Sequence, residues 1–353
     1  MNNARKSQFP IDKHSFDLDE EGISILKCRE HKTSITCICV SSNNKYIFSG
    51  SKDGAIVKWS LEKRSKEGSL PFAYKEDGKE IKGHSRGILS IAISSDNKYL
   101  AVGDETMYIQ IWDPQKLKHI HTLKGHQSSV TAIKFKLRSN TLYSASKDKI
   151  VKVWDLDEMA YVESVFGHTD AITAIDVLSA DRVITAGGRD NTLRIWKFCE
   201  ETQLIYKGHN GSIDCVVIID EGHFASGGDD GQICVWRIGR KRPVYAVKDA
   251  HGVNQTNGES FWITSLASFI NSDLLASGSE DGYLRLWRLE KGFNNVTMLR
   301  KIQIVGVVND LKFTNDGKCL LAGVGKEHRF GRWTVKKSAK NSVVLIPVLH
   351  NVL

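Results

Sequence analysis

Six times along this chain a His stands upstream of a Trp at a nearly constant distance. The pairs are His31 and Trp59, His84 and Trp112, His126 and Trp154, His168 and Trp196, His209 and Trp236, and His251 and Trp287, with spacings of 28, 28, 28, 28, 27 and 36 residues. The stretch "GVNQTNGES" lengthens the last one. Each His follows Gly or a substitute for it, and Trp closes segments such as "SKDGAIVKW", "SKDKIVKVW", "GRDNTLRIW", "DDGQICVW" and "SEDGYLRLW". A repeat of about 40 residues implies copies of one small supersecondary unit, because such a unit cannot bury an apolar face alone. Within each unit, short apolar runs such as "AITAIDV", "RVITAG" and "TLRIW" are separated by Gly, Asp and Asn turns. Each unit is therefore predicted to be an antiparallel sheet of four strands.

A chain of 353 residues with 41% apolar content can fill one large all-β ring. Six regular units and "VNDLKFTNDGKCLLAGVGKEHRFGRW" make seven, and a closed ring removes free sheet edges. The stretch "ISILK" before His31 occupies the slot that "HIHTLK" holds before His126, so it is expected as the outer strand of the seventh unit. The C-terminal "SVVLIPVL" competes for that slot or covers it. The expected organisation is a polar tail over 1–22, a ring over 23–349 with insertions near 60–82 and 252–261, and an end piece at 350–353. The first insertion, "LEKRSKEGSLPFAYKEDGKEIK", mixes six basic with five acidic residues and reads as a solvated loop. Seven unpatterned Cys, no run of 18 apolar residues and an N-terminus without a secretory apolar stretch predict a soluble intracellular protein with reduced thiols.

With these motifs the chain resembles the WD-repeat family over residues 23–333. The resemblance implies a seven-bladed β-propeller with four antiparallel strands per blade. It also implies a buried His, Ser or Thr, Asp and Trp tetrad in each regular blade. The matching sets are His31, Ser49, Asp53 and Trp59; His126, Ser144, Asp148 and Trp154; His209, Ser226, Asp230 and Trp236; and His251, Ser277, Asp281 and Trp287. Blade four keeps His168, Asp190 and Trp196 but has Ala186 at the Ser position, and blade two keeps His84 and Trp112 but has Thr106 for Asp. A buried imidazole and a buried carboxylate each cost several kcal/mol unless paired, which explains a set of this kind. Six sets spread around a ring cannot converge on one substrate or ion. No nucleophile elbow, P-loop or zinc spacing occurs. No enzyme, metal, cofactor or small-molecule substrate is expected.

Charge points to surfaces. The net charge is +8, yet "RIGRKRPVYAVK" over 237–248 carries +5, and residues 324–353 hold six basic residues against one acidic. The remainder is slightly acidic. Localised basicity suits phosphate binding, since each neutralised phosphate releases condensed counterions. The residue before the blade Trp is apolar in five blades (Ile111, Val153, Ile195, Val235 and Leu286) but is Lys58 in the first and Arg332 in the seventh. Those blades are neighbours in a ring, so a basic seam is one reading, with Gly331 admitting another backbone. The other reading pairs Arg332 with Glu327 in place of a missing tetrad. The phosphate-contact candidates are Lys326, His328, Arg329, Arg332, Arg240, Lys241, Arg242 and Lys58. Phe261 and Trp262 either cap a peptide or anchor the enlarged sixth-blade loop.

Beyond the repeats, "VGKEHRFGRW" followed by "NSVVLIPV", "AGGRDNTLRIWK", "GHNGSIDCV", "KRPVYAVKDAHG" and "FWITSLASFINSDLLASGS" resemble the WD-repeat protein family of the U3 small nucleolar RNP. That resemblance implies a nucleolar protein of the nucleus that binds U3 box C/D small nucleolar RNA together with a kink-turn-binding protein. It implies a place in the small-subunit processome, which matures 18S ribosomal RNA. Two departures accompany it: only 22 residues precede the first strand where family members carry a long charged extension, and Thr334 follows Trp333 where the family often doubles the Trp. The alternative is a peptide-binding adaptor or a scaffold of another nuclear complex.

Overall fold

Alternating apolar residues dictate short strands, and Gly, Asn and Asp at the connections turn them back antiparallel. The computed structural model describes residues 14–73, 83–177 and 182–352. Six consecutive four-stranded sheets begin on the inner strands Ile35–Val40, Ile88–Ile93, Val130–Phe135, Ile172–Val177, Ile213–Ile218 and Ile263–Ser268, each followed outward by its next three strands in chain order. The seventh starts on Val307–Phe313 and Cys319–Gly325. The expected seven-bladed propeller is therefore the fold. Among the described residues no helix is long and apolar enough to cross a membrane.

Blades pack through apolar faces. Seven clusters of buried side chains fill the seven inter-blade gaps, including one of Ile35, Ile38, Trp59, Leu321, Val343 and Leu345 between blades seven and one. Near the axis, hydroxyls of Thr36, Thr131, Thr173 and Thr264 donate to the carbonyls of Ile88, Ile172, Ile213 and Val308 on the next blade, riveting inner strand to inner strand.

The closing blade departs from the sequence expectation. "KEHRFGRW" is not its third strand. That position belongs to the C-terminal Ser342–Val352, which pairs with Cys319–Gly325 from Cys319↔Pro347 to Val324↔Ser342. The C-terminal segment does not compete with the N-terminal one, because it lies inside it. Ser24–Leu26 pairs with Val343–Leu345 on the outer side, as expected for "ISILK". His14–Leu18, within the stretch read as a polar tail, extends the same edge by pairing with Val348–Val352. Residues from both chain ends thus share one sheet. The stretch near 60–82 is also not all loop: Ser65–Leu70 is the exposed outer strand of blade one, and residues 74–82 lie outside the described residues.

The tetrads are present, with two corrections. In blade three the His126 Nδ1 lies 2.7 Å from an Asp148 oxygen, Nε2 lies 2.7 Å from the Ser144 hydroxyl, and Trp154 Nε1–H donates to Ser144 at 2.8 Å. In blade four the hydroxyl comes from Thr185, not from position 186: it lies 2.7 Å from His168 and accepts from Trp196 at 2.8 Å. Thr185 pairs with Arg194, whereas Ser144 pairs with Lys152, so the blade-four turn holds one more residue and shifts the count by one. In blade two the carboxylate is Asp104, 2.8 Å from His84 and fully buried, while Thr106 caps it; Trp112 Nε1–H donates directly to His84 at 3.2 Å.

Three sets differ in charge. In blade one the Ser51 hydroxyl stands between Asp53 and His31. Burial lowers His31 to about 4, with distant Asp53 opposing. In blade five burial lowers His209, but Asp230 at 3.0 Å together with Cys234 overcomes it and raises His209 to about 10. In blade six Asp281 lies 3.1 Å from His251 but also binds Arg285 at 2.8 Å, and burial leaves His251 lowered.

Candidate nucleic-acid interface

The seventh blade's second and third strands are joined by residues 326–341, where siblings have a tight turn. Glu327 and Trp333 reproduce the six-residue Asp-to-Trp spacing of the other blades, but they form a loop over one face of the ring. The loop is pinned from below by Asn309, a fully buried residue that sequence reasoning missed. Its amide donates to the carbonyls of Ile35 at 2.7 Å and Glu327 at 3.0 Å, and its oxygen accepts from Arg329 N–H at 2.9 Å. An Asn inside "VVNDLKF" was the available signal, since a buried amide in an inner strand needs partners. Lys336 N–H donates to the Lys326 carbonyl at 2.8 Å and closes the loop on itself.

The nominated residues separate into different roles. Arg332 meets Glu327, with Nε 2.6 Å from a carboxylate oxygen, as the pairing reading anticipated; yet its side chain is 78% exposed. Glu327 is buried and also faces Lys52 at 3.4 Å; burial lowers Lys52, with Glu327 opposing. Arg329 is half-buried. It reaches across the ring, donating to the backbone carbonyl of Asp214 on blade five at 2.6 Å and approaching that of Thr173 on blade four at 3.5 Å. Burial pushes the neighbouring Asp214 carboxyl up to about 7, opposed by the Arg329 charge.

His328 is buried, with its ring 6.0 Å from Trp262, 5.2 Å from Trp333 and 5.9 Å from Phe330. Burial, helped by the cations of Arg329 and Lys52, lowers it to about 3, so it stays a neutral ring packed among these aromatics. Lys326 is exposed. Arg332, Lys326, Lys337 and Lys340 are the exposed cations of this loop.

The basic seam is absent. Lys58 is buried toward blade two, 4.0 Å from the Tyr46 ring centre and donating to the Gln115 carbonyl at 3.3 Å. Its position and that of Arg332 do not match in space, because Arg332 is not on a strand and the closure gap is apolar. Gly331 admits no second backbone: a Cβ there would lie 2.9 Å from indole atoms of Trp333. Arg240, Lys241 and Arg242 are exposed, but on a third-to-outer-strand connection, at the ring face opposite the second-to-third connection that holds 326–341. There Arg237 and Arg240 line an open recess of about 560 Å³ with Val244, Gly292 and Asn294. Trp262 serves to anchor the blade-seven loop, through His328 and Trp333. Phe261 is half-buried at the end of the sixth-blade insertion, where its N–H donates to Gly252. Among the described residues no group of three His, Cys, Asp or Glu side chains is gathered for a metal.

The family described as "WD domain, G-beta repeat" matches residues 22–60, 76–113, 117–155, 160–197, 200–237 and 252–288. The human U3 small nucleolar RNA-interacting protein 2 is 50% identical over 322 residues, covering 91% of this chain and 68% of its own. The yeast Ribosomal RNA-processing protein 9 is 31% identical over 178 residues, covering 42% of this chain and 31% of its own. A solved structure titled "Structure of U3-55K" superposes with a TM-score of 0.90 at 45% identity, covering 94% of this chain and all of that one.

Proposed function

The chain belongs to the WD-repeat family of U3 snoRNP-associated proteins, and on that premise we propose that it is a non-catalytic assembly factor that binds U3 box C/D small nucleolar RNA alongside a kink-turn-binding protein. Its setting is 18S pre-rRNA processing in the small-subunit processome, in the nucleolus. The observation that carries this reading is the 326–341 loop: six basic residues against Glu327, four of those cations exposed on one ring face, and the loop backbone fixed from beneath by Asn309. A rigid scaffold presenting fixed cations holds phosphates without ordering a flexible tail on binding.

The non-catalytic reading is supported by a ring that repeats one structural side-chain set from blade to blade. The His and Asp of a regular blade are taken up by each other and by Ser, Thr or Trp, as in His126, Asp148, Ser144 and Trp154. The peptide-adaptor reading loses part of its support, because Trp262 is engaged by His328 and Trp333. Affinity purification from gently lysed cells, with sequencing of retained RNA, tests the proposal. U3-type box C/D RNA is the expected enriched species; a set of peptides or proteins with no box C/D RNA would overturn it.

A further inference from the structure

Trp333 is the residue that the repeat pattern most misplaces. Instead of closing a tetrad, it sits on the loop surface with 58% of its area exposed. Its indole lies over Gly331, where any side chain would collide with it, and meets Trp262 at 5.2 Å and 63° and His328 at 5.2 Å. Both neighbours are fixed. Trp262 directly precedes the inner strand of blade six, its backbone carbonyl accepts from the Ser279 hydroxyl at 2.6 Å, and His328 is buried. Thr334, next in the chain, donates to Glu280. The ring thus packs edge-to-face with Trp262 and tilted against His328 while much of its surface faces solvent, which makes it an anchored platform.

The surroundings decide what such a platform takes. Arg332 precedes it, Lys326, Lys337 and Lys340 are exposed on the same loop, and Glu327 is turned inward to Arg332 and Lys52. A flat indole bordered by cations is complementary to an unpaired base with phosphates on either side. Bases inside a duplex offer no free face, whereas unstacked bases in loops and bulges do. We infer that Trp333 is a stacking platform for an unpaired nucleobase of bound RNA, with Arg332 and Lys326 on the adjoining phosphates. This inference rests on the RNA-binding reading above and adds to it the single-stranded character of the contacted nucleotide.

The test uses the full chain, with two probes measured by fluorescence anisotropy: a labelled U3 transcript and an unstructured oligouridylate of about 12 nucleotides. Trp333→Ala and Trp333→Leu should each weaken binding roughly tenfold, while Trp333→Phe keeps most of it, because stacking needs a π face and not merely apolar bulk. The salt dependence should keep its slope, since no phosphate contact is removed. Nucleobase quenching of the protein's fluorescence should be larger in the wild type than in Trp333→Phe. Wild-type binding with equal affinity in the Ala and Leu variants would overturn the stacking role and leave the RNA reading standing. Full binding by the Leu variant alone would assign the indole to an apolar protein contact and also overturn it. A wild type that binds neither probe even with the kink-turn-binding protein present would remove the RNA reading itself.

Discussion

Arg329 and Arg332 stand three residues apart in one basic loop, and the structure gives charge reversal opposite consequences at the two. The Arg329 guanidinium donates to the Asp214 carbonyl at 2.6 Å from across the ring. Losing a hydrogen bond to a charged group costs about 1.5–3 kcal/mol. Arg329→Glu would further place a carboxylate against carbonyl oxygens and beside the Asp214 carboxyl, so the total is about 3–5 kcal/mol. For a ring of this size about 2 °C of Tm accompanies each kcal/mol, giving a fall of roughly 6–10 °C. Arg332 is 78% exposed, and exposed pairs contribute about 0–1 kcal/mol, so Arg332→Glu should move Tm by no more than roughly 2 °C. RNA retention should rank the other way for folded protein, with Arg332→Glu losing binding and flattening the salt slope by roughly 0.7–0.9 per charge removed. Differential scanning calorimetry paired with filter binding reads both. An Arg329→Glu protein as stable as wild type, or an Arg332→Glu protein that is the less stable of the two, would refute the reasoning.

In blade four, Thr185→Val should cost about 1–3 kcal/mol by urea unfolding, since it orphans the His168 and Trp196 nitrogens; Ala186→Ser should not add stability, because position 186 is not the tetrad hydroxyl. Acid should weaken the fold through His31 and His328. Both stay neutral when folded, at about 4 and about 3, while the unfolded chain protonates near 6.5, so stability falls as pH drops below about 6.5 at about 1.4 kcal/mol per unit for each. His328→Phe should lower that slope in urea titrations between pH 7 and 5. His209 works at the other end: raised to about 10, its contribution is full below about 6.5 and is lost as pH rises through 10. Lys58→Met should leave RNA retention unchanged in the same filter-binding assay, because the side chain is buried against Tyr46.

Much of the fold was legible because each blade repeats the same buried problem: a His and an Asp that need partners, and a Trp that fills the gap. Errors arose where spacing was counted without geometry. One extra residue in the blade-four turn moved the hydroxyl from the expected position to Thr185, and blade two took its carboxylate from Asp104 at a strand end. Glu327 and Trp333 keep the repeat spacing but lie in a loop, and the third strand is Ser342–Val352. The site was legible only as a charge imbalance. Arg329 finds its partners 115 and 156 residues away, on blades four and five, and His328 is enclosed by residues of blades six and seven. No local pattern encodes such distances, so which cations face solvent had to come from the assembled ring.

On this reading RNA meets the ring on the face bearing 326–341. Ultraviolet crosslinking of the purified RNP, followed by mass spectrometry of nucleotide-bearing peptides, locates the contact directly. Adducts are expected within 326–341, with Trp333 and Lys326 or Lys337 of the same loop among the modified residues. Adducts confined to the opposite face around Arg240, Lys241 and Arg242, with 326–341 unmodified, would contradict it.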